Sequence, residues 1–99
     1  MVIYKYELKI TDKQNIEIGG LMPCGFSVNE QNGKLMMWVQ LDEDYPGSFN
    51  LDVDIIGTGN TYQTEGKFIG TVLMSNGAVW HIFAKVNYIR SEMGDSNEE

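Results

Sequence analysis

Apolar and polar residues alternate along much of this chain with a period of two. Tyr4, Tyr6, Leu8 and Ile10 share one parity and Lys5, Glu7 and Lys9 the other, which predicts a half-buried first strand. The polar run over 11–15 leaves no apolar face to pack and predicts a turn or strand edge. Ile16 and Ile18 resume the alternation around Glu17 as a short second strand. Gly19 and Gly20 then end it by removing the side chains that would continue the packed face, and Pro23 keeps the next few residues irregular. Cys24, Phe26 and Val28 share a parity and lead into Asn32-Gly33, a pair that tolerates the positive φ of a tight hairpin turn.

Residues 34–41 are apolar on both parities, with Leu35, Met37, Val39 and Leu41 on one and Met36 and Trp38 on the other. An acidic stretch over 42–48, containing Pro46-Gly47, reads as a loop. Beyond it Phe49, Leu51, Val53 and Ile55 alternate with Asn50, Asp52 and Asp54, a strand with one wet face. Gly57-Thr58-Gly59-Asn60 opens a polar loop that runs to Gly66. A strand over 67–74, a second hairpin signal at Asn76-Gly77 and a long strand over 78–88 complete the pattern.

No stretch carries helical spacing. The expected fold class is therefore all-β, a small antiparallel sandwich or partly closed barrel of about seven strands. A chain of 99 residues has room for one domain. It is placed at residues 1–90, with 91–99, polar and acidic, expected as a disordered tail.

Charge narrows the partners. Seven basic against fourteen acidic residues give a net charge of −7, which repels phosphate backbones and anionic bilayers. Lys5, Lys9 and Lys13, the densest basic group, are interrupted by Glu7 and Asp12, so no duplex nucleic acid and no membrane partner is expected. Cys24 is the single cysteine, which precludes an internal disulfide and suits a reducing cytoplasm. The opening residues alternate charge with apolar side chains instead of forming a signal peptide's apolar run.

Catalytic chemistry has little to stand on. His81 is the lone histidine, which excludes a multi-histidine metal site. It reads as structural or interfacial, with a general-base role, partnered by Asp52 or Asp54, as the sharper alternative. Asp42, Glu43, Asp44, Asp52 and Asp54 lack calcium-loop spacing and read as solvated. No helix pattern follows Gly57, Thr58, Gly59 and Asn60, so a strand-ending turn is favoured over a phosphate cradle, with ligand binding by these four residues kept as the alternative. Cys24 has no basic neighbour in sequence and is expected to be a buried, inert thiol. No enzyme activity, cofactor or metal is expected.

The informative feature is apolar surplus. Residues 34–41, 67–74 and 78–88 carry apolar side chains on both parities, whereas strands of a two-layer domain need only one packed face. Either these strands are central in a closed barrel, or Met36, Trp38, Val79, His81 and Phe83 form a surface for a protein partner or a homodimer.

The opening IYKYELKITDKQ over 3–14, QNGKLMMWV over 31–39, IIGTGN over 55–60, FIGTV over 68–72 and VWHIF over 79–83 together resemble a family of small uncharacterised phage and prophage proteins. Residues 19–23 and 42–48 depart from that pattern. The resemblance implies no activity and assigns no residue a role. It implies a phage setting, in which the expected function is a non-catalytic accessory protein of the host cytoplasm that binds and inhibits a host defence protein. The alternatives are a nucleotide or small-molecule sponge, with aromatic residues such as Trp38, Tyr62 or Trp80 beside the glycine loop, and a virion structural protein.

Overall fold

A computed structural model of the chain describes residues 1–90; the acidic tail expected over 91–99 lies outside the described residues. The fold is all-β, with five strands in one antiparallel sheet: β1 (Val2–Leu8), β2 (Lys13–Gln31), β3 (Lys34–Gly57), β4 (Lys67–Leu73) and β5 (Val79–Arg90). No helix among the described residues is long and apolar enough to cross a membrane.

Five strands replace the expected seven because two apparent loops are bends within continuous strands. Straight, the 24 residues of β3 would reach about 80 Å, yet the longest extent of the molecule is 51 Å. The β2–β3 hairpin bends in its middle. There the pairing slips between Glu17 and Gly19, Gly19 and Leu21, Leu21 and Met22, and Pro23 and Gly25. Each slip is a bulge that turns the strand and increases its twist. Gly19 sits at φ 91°, a conformation open to glycine at no steric cost. Pro46, opposite Leu21, occupies a bend where its missing N–H breaks no regular ladder. The polar run at 11–15 is likewise shorter as a turn than expected, since β2 already starts at Lys13. Gln14 closes that turn by accepting from the Lys9 amide at 3.1 Å and donating to the Lys9 carbonyl at 2.7 Å.

Both hairpin turns form where the Asn-Gly pairs stand. Asn32 and Gly33 have φ of 54° and 78° between the paired Gln31 and Lys34. At the second, the Gly77 amide donates to the Met74 carbonyl at 2.9 Å, and Gly77 has φ 95°.

Bending divides the sheet into two halves that enclose the core. In the first half, β3 from Leu35 to Leu41 runs between β1 and the later part of β2. In the second, β3 from Phe49 to Gly57 runs between the start of β2 and β5, and β4 flanks β5. Leu35, Met37, Val39 and Leu41 from the first half share one buried cluster with Leu51, Val53, Ile55, Ile82 and Val72 from the second. Each such side chain contributes roughly 1.5–3 kcal/mol through burial. β4 also approaches the far half across the core, where a Cβ on Gly70 would stand 3.1 Å from Val28. The result is a curled half-barrel.

Candidate functional sites: a covered outer face and an open side

The connection 58–66 creates the first site. β3 and β4 both run antiparallel to β5 and lie on either side of it, so they are parallel to each other and the link between them must cross a face of β5. The inner face is filled by core, so the link crosses the outer one. It begins near Trp80, the partner of Gly57, and returns to Ala84, the partner of Lys67.

A series of contacts holds this crossing down. Thr58 Oγ1 lies 2.7 Å from His81 Nε2, and Thr71 Oγ1 lies 2.9 Å from Nδ1. The Tyr62 ring packs on Phe83 at 5.2 Å, and Phe68 meets the same ring edge-on at 5.4 Å. Lys13 Nζ donates to the Gln63 carbonyl at 3.4 Å, and Lys85 Nζ to Glu65 at 2.6 Å. That last bond, with the attraction between the two charges, holds the Glu65 carboxyl below and the Lys85 ammonium above their usual ranges.

Two connected depressions result. A cleft of about 360 Å³ is lined by Gly57, Thr58, Gly59, Asn60, His81 and Phe83 among others. It joins the glycine loop to His81 and Phe83, features that are separate in the sequence. A wider groove of about 1220 Å³ shares Tyr62 and Phe83 with it and continues over Lys13, Asp54, Glu65 and Lys85. Gly57 to Asn60 form a turn in which the Asn60 amide donates to the Gly57 carbonyl at 3.3 Å.

The acid–base pairing of His81 with Asp52 or Asp54 has no support in this geometry. Both imidazole nitrogens are taken by threonine hydroxyls, which serve either neutral tautomer because a hydroxyl both donates and accepts. Asp52 instead accepts from Asn15 at 2.9 Å and from Asn87 at 2.8 Å, and both amides also donate to Asn50 Oδ1. The bonds from Asn15 and then Asn87 hold the Asp52 carboxyl below the usual range. Asp54 faces Lys13 at 3.2 Å.

The five expected partner-binding residues fall on two outer faces. Met36 and Trp38 lie on that of the first half, opposite Glu7 and Lys5 of β1, while Val79, His81 and Phe83 lie on that of the second, opposite Leu73, Thr71 and Phe68 of β4. Met36 is only 8% exposed. Lys5 Nζ bonds to Gln31 Oε1 at 2.9 Å, and this link from β1 to β2 must pass over β3 at the level of Met36, covering it with an aliphatic stem. Phe83 is covered by Tyr62 and Phe68. Met36 and Phe83 are thus covered within the molecule, the first by the aliphatic stem of Lys5 and the second by the 58–66 connection and Phe68, while Trp38 and Val79 stay half-buried.

A different apolar surface is open. β4 begins opposite Ala84, so among the described residues β5 from Lys85 onward pairs with β3 alone. The exposed Val86, Tyr88 and Ile89 lie on this stretch. Across from it stand Met22, Pro23, Cys24 and Phe26 of β2, forming two adjoining depressions of about 470 and 490 Å³ that share Val86. Tyr45, Pro46 and Asp44 of the β3 bend close one end. Cys24 lies here and is exposed, not buried as expected, because the bend turns it outward with its Sγ 3.4 Å from the Gln40 carbonyl. The period-2 pattern could not show this slot, since Val86 and Tyr88 carry core parity and are exposed only because no strand continues beside them.

Fold and surfaces together define a small all-β domain built on a bent hairpin, with a groove of mixed charged and aromatic lining beside the 58–66 connection on one outer face and an apolar slot along its open side. The chain belongs to the family described as Domain of unknown function (DUF7352), which matches residues 1–91. No curated protein and no solved structure matches it.

Proposed function

We propose that this protein is a non-catalytic phage accessory protein that binds and inhibits a host defence protein, taking an extended segment of that partner into the slot between β2 and β5. The observation that carries this reading is the stretch of β5 beyond Ala84, whose second edge has no strand beside it among the described residues and which bears exposed Val86, Tyr88 and Ile89. Unpaired backbone groups along a strand accept another strand, while side-chain pockets select its sequence. The phage setting rests on the sequence resemblance. The net charge of −7 and Asp44 at the slot's end favour a basic, apolar-bearing segment.

Capture from host extract with the wild type and with Tyr88→Lys tests this. Tyr88 is 60% exposed, so the variant stays folded, losing mainly its ring contact with Phe49, about 1 kcal/mol. The expected result is a host protein retained by the wild type at low salt, released by the variant, and inhibited when purified and mixed with the wild type. Retention of nothing at low salt, where attraction is strongest, or equal retention by both proteins, overturns the reading.

A further inference from the structure

The roofed groove on the other face holds a carboxylate whose environment is incomplete. Asp54 is the one buried charged residue among those described, at 7% exposure, and it lines the groove. Its Oδ1 faces Lys13 Nζ at 3.2 Å; its other oxygen has no hydrogen-bond partner among the described residues. A buried carboxylate oxygen left unpaired is costly, and such groups are ordinarily satisfied by protein, water or ligand. The neighbouring acids are not in this state, because both Asp52 oxygens are taken by Asn15 and Asn87 and Glu65 is held by Lys85.

Lys13 marks the chemistry that suits the position. Its ammonium sits between Asp54 and the Gln63 carbonyl, at 3.2 and 3.4 Å, so a cationic donor there meets acceptors from the sheet below and from the crossing chain above. The side chain is 68% exposed, and a long exposed ammonium gains little from one ion pair and leaves easily. Tyr62 and Phe83, packed at 5.2 Å, line the same groove. Aromatic rings beside a carboxylate suit a planar cation, which bonds the carboxylate through two parallel N–H groups while its face lies on a ring.

We propose that Asp54, the Gln63 carbonyl and the Tyr62 ring form a guanidinium subsite, in which the incoming group displaces Lys13 and donates to both Asp54 oxygens. The strongly acidic chain favours a cation over an anionic nucleotide at this place. The same chemistry is offered by an arginine side chain in a peptide and by a free alkylguanidine, so the probes are N-acetyl-arginine amide and agmatine, with N-acetyl-citrulline amide as the uncharged isostere.

Amide chemical shifts of the full chain are followed during titration with each probe. Saturable changes confined to Asp54, Gln63, Glu65, Gly66 and Phe83, with Kd on the order of 1 mM, are expected for the guanidinium probes and none for citrulline. A tighter arginine amide points to a peptide ligand and a tighter agmatine to a small molecule. Asp54→Asn weakens binding about tenfold or more, and Lys13→Met, which empties the position, strengthens it. Should Asp54→Asn not fold, Tyr62→Ala, on the exposed crossing, provides the second loss. Equal shifts with citrulline, shifts scattered over the surface, or binding unchanged in Asp54→Asn or in Tyr62→Ala overturns the subsite.

Discussion

Asn15, Asn50, Asp52 and Asn87 show how single side chains set the character of the outer face. Asn15 comes from β2, Asn50 and Asp52 from β3 and Asn87 from β5, so their four hydrogen bonds stitch three strands together. Because these bonds favour the charged carboxylate, the native Asp52 gives up its proton at lower pH than the unfolded chain does. Its contribution is therefore present above the ordinary aspartate value near about 3.9 and disappears as pH falls through the depressed native value. Asn87→Ala removes a donor and moves the native value back toward the ordinary one. Urea unfolding is expected to show a deficit of up to about 1 kcal/mol at neutral pH, kept small by solvent exposure. The deficit shrinks below pH ~4, and a difference that persists unchanged in acid assigns the effect to packing. At this scale the sequence was partly readable. Alternation placed Asn50, Asp52 and Asp54 together on the outer face, but Asp54, expected to be solvated, is buried, and the partners of all three come from strands whose register no local pattern contains. Lys13, read as part of a turn, is the clearest case.

Strands and turns were more legible than their joins. Tyr6 and Leu8, Leu51 to Ile55, and the Asn-Gly pairs did what their spacing requires, since the period of two and the need for positive φ are local properties. Gly19-Gly20 and Pro46-Gly47 misled because the same residues serve to end a strand and to bend one. Only pairing across the bend, Leu21 with Pro46 and Met22 with Asp42, distinguishes the two. The 58–66 connection was likewise readable as a loop and not as a roof, since its path is set by β3 and β4 lying on either side of β5. Gly66 is where the roof returns to the sheet, and a Cβ there would lie 2.9 to 3.1 Å from backbone atoms of Ala84. Neither backbone can yield cheaply, so Gly66→Ala lifts the end of the connection. A loss of about 1–3 kcal/mol in thermal or urea unfolding is expected, with faster amide exchange over 62–66 than in the wild type. Unchanged stability and exchange would mean that the connection does not rest on β5 in solution.

At the scale of the molecule, the half-barrel has two apolar surfaces of different standing. The outer face holding Trp38 carries Lys5 across from it and has Met36 sealed beneath the link from Lys5 to Gln31. The open side leaves Val86 and Tyr88 exposed on a stretch of β5 that, among the described residues, pairs on one edge only, with Tyr45 of the β3 bend exposed at its end. If copies of the chain associate, the open side is the surface with most to gain, because pairing there buries apolar area and satisfies backbone groups together. Like charge opposes the contact, since each copy carries −7, and salt screens that repulsion over about 8–10 Å at physiological strength. Sedimentation is thus expected to show a mass that rises toward a dimer with concentration, and more steeply as salt is added. Tyr88→Glu should abolish the rise. Trp38→Glu should leave it intact, because a carboxylate opposite Lys5 is tolerated on that face and the open side is untouched. The reverse pattern would return self-association to the face of Met36 and Trp38, and a wild type that stays monomeric at high micromolar concentration in every salt would leave the slot free for another protein.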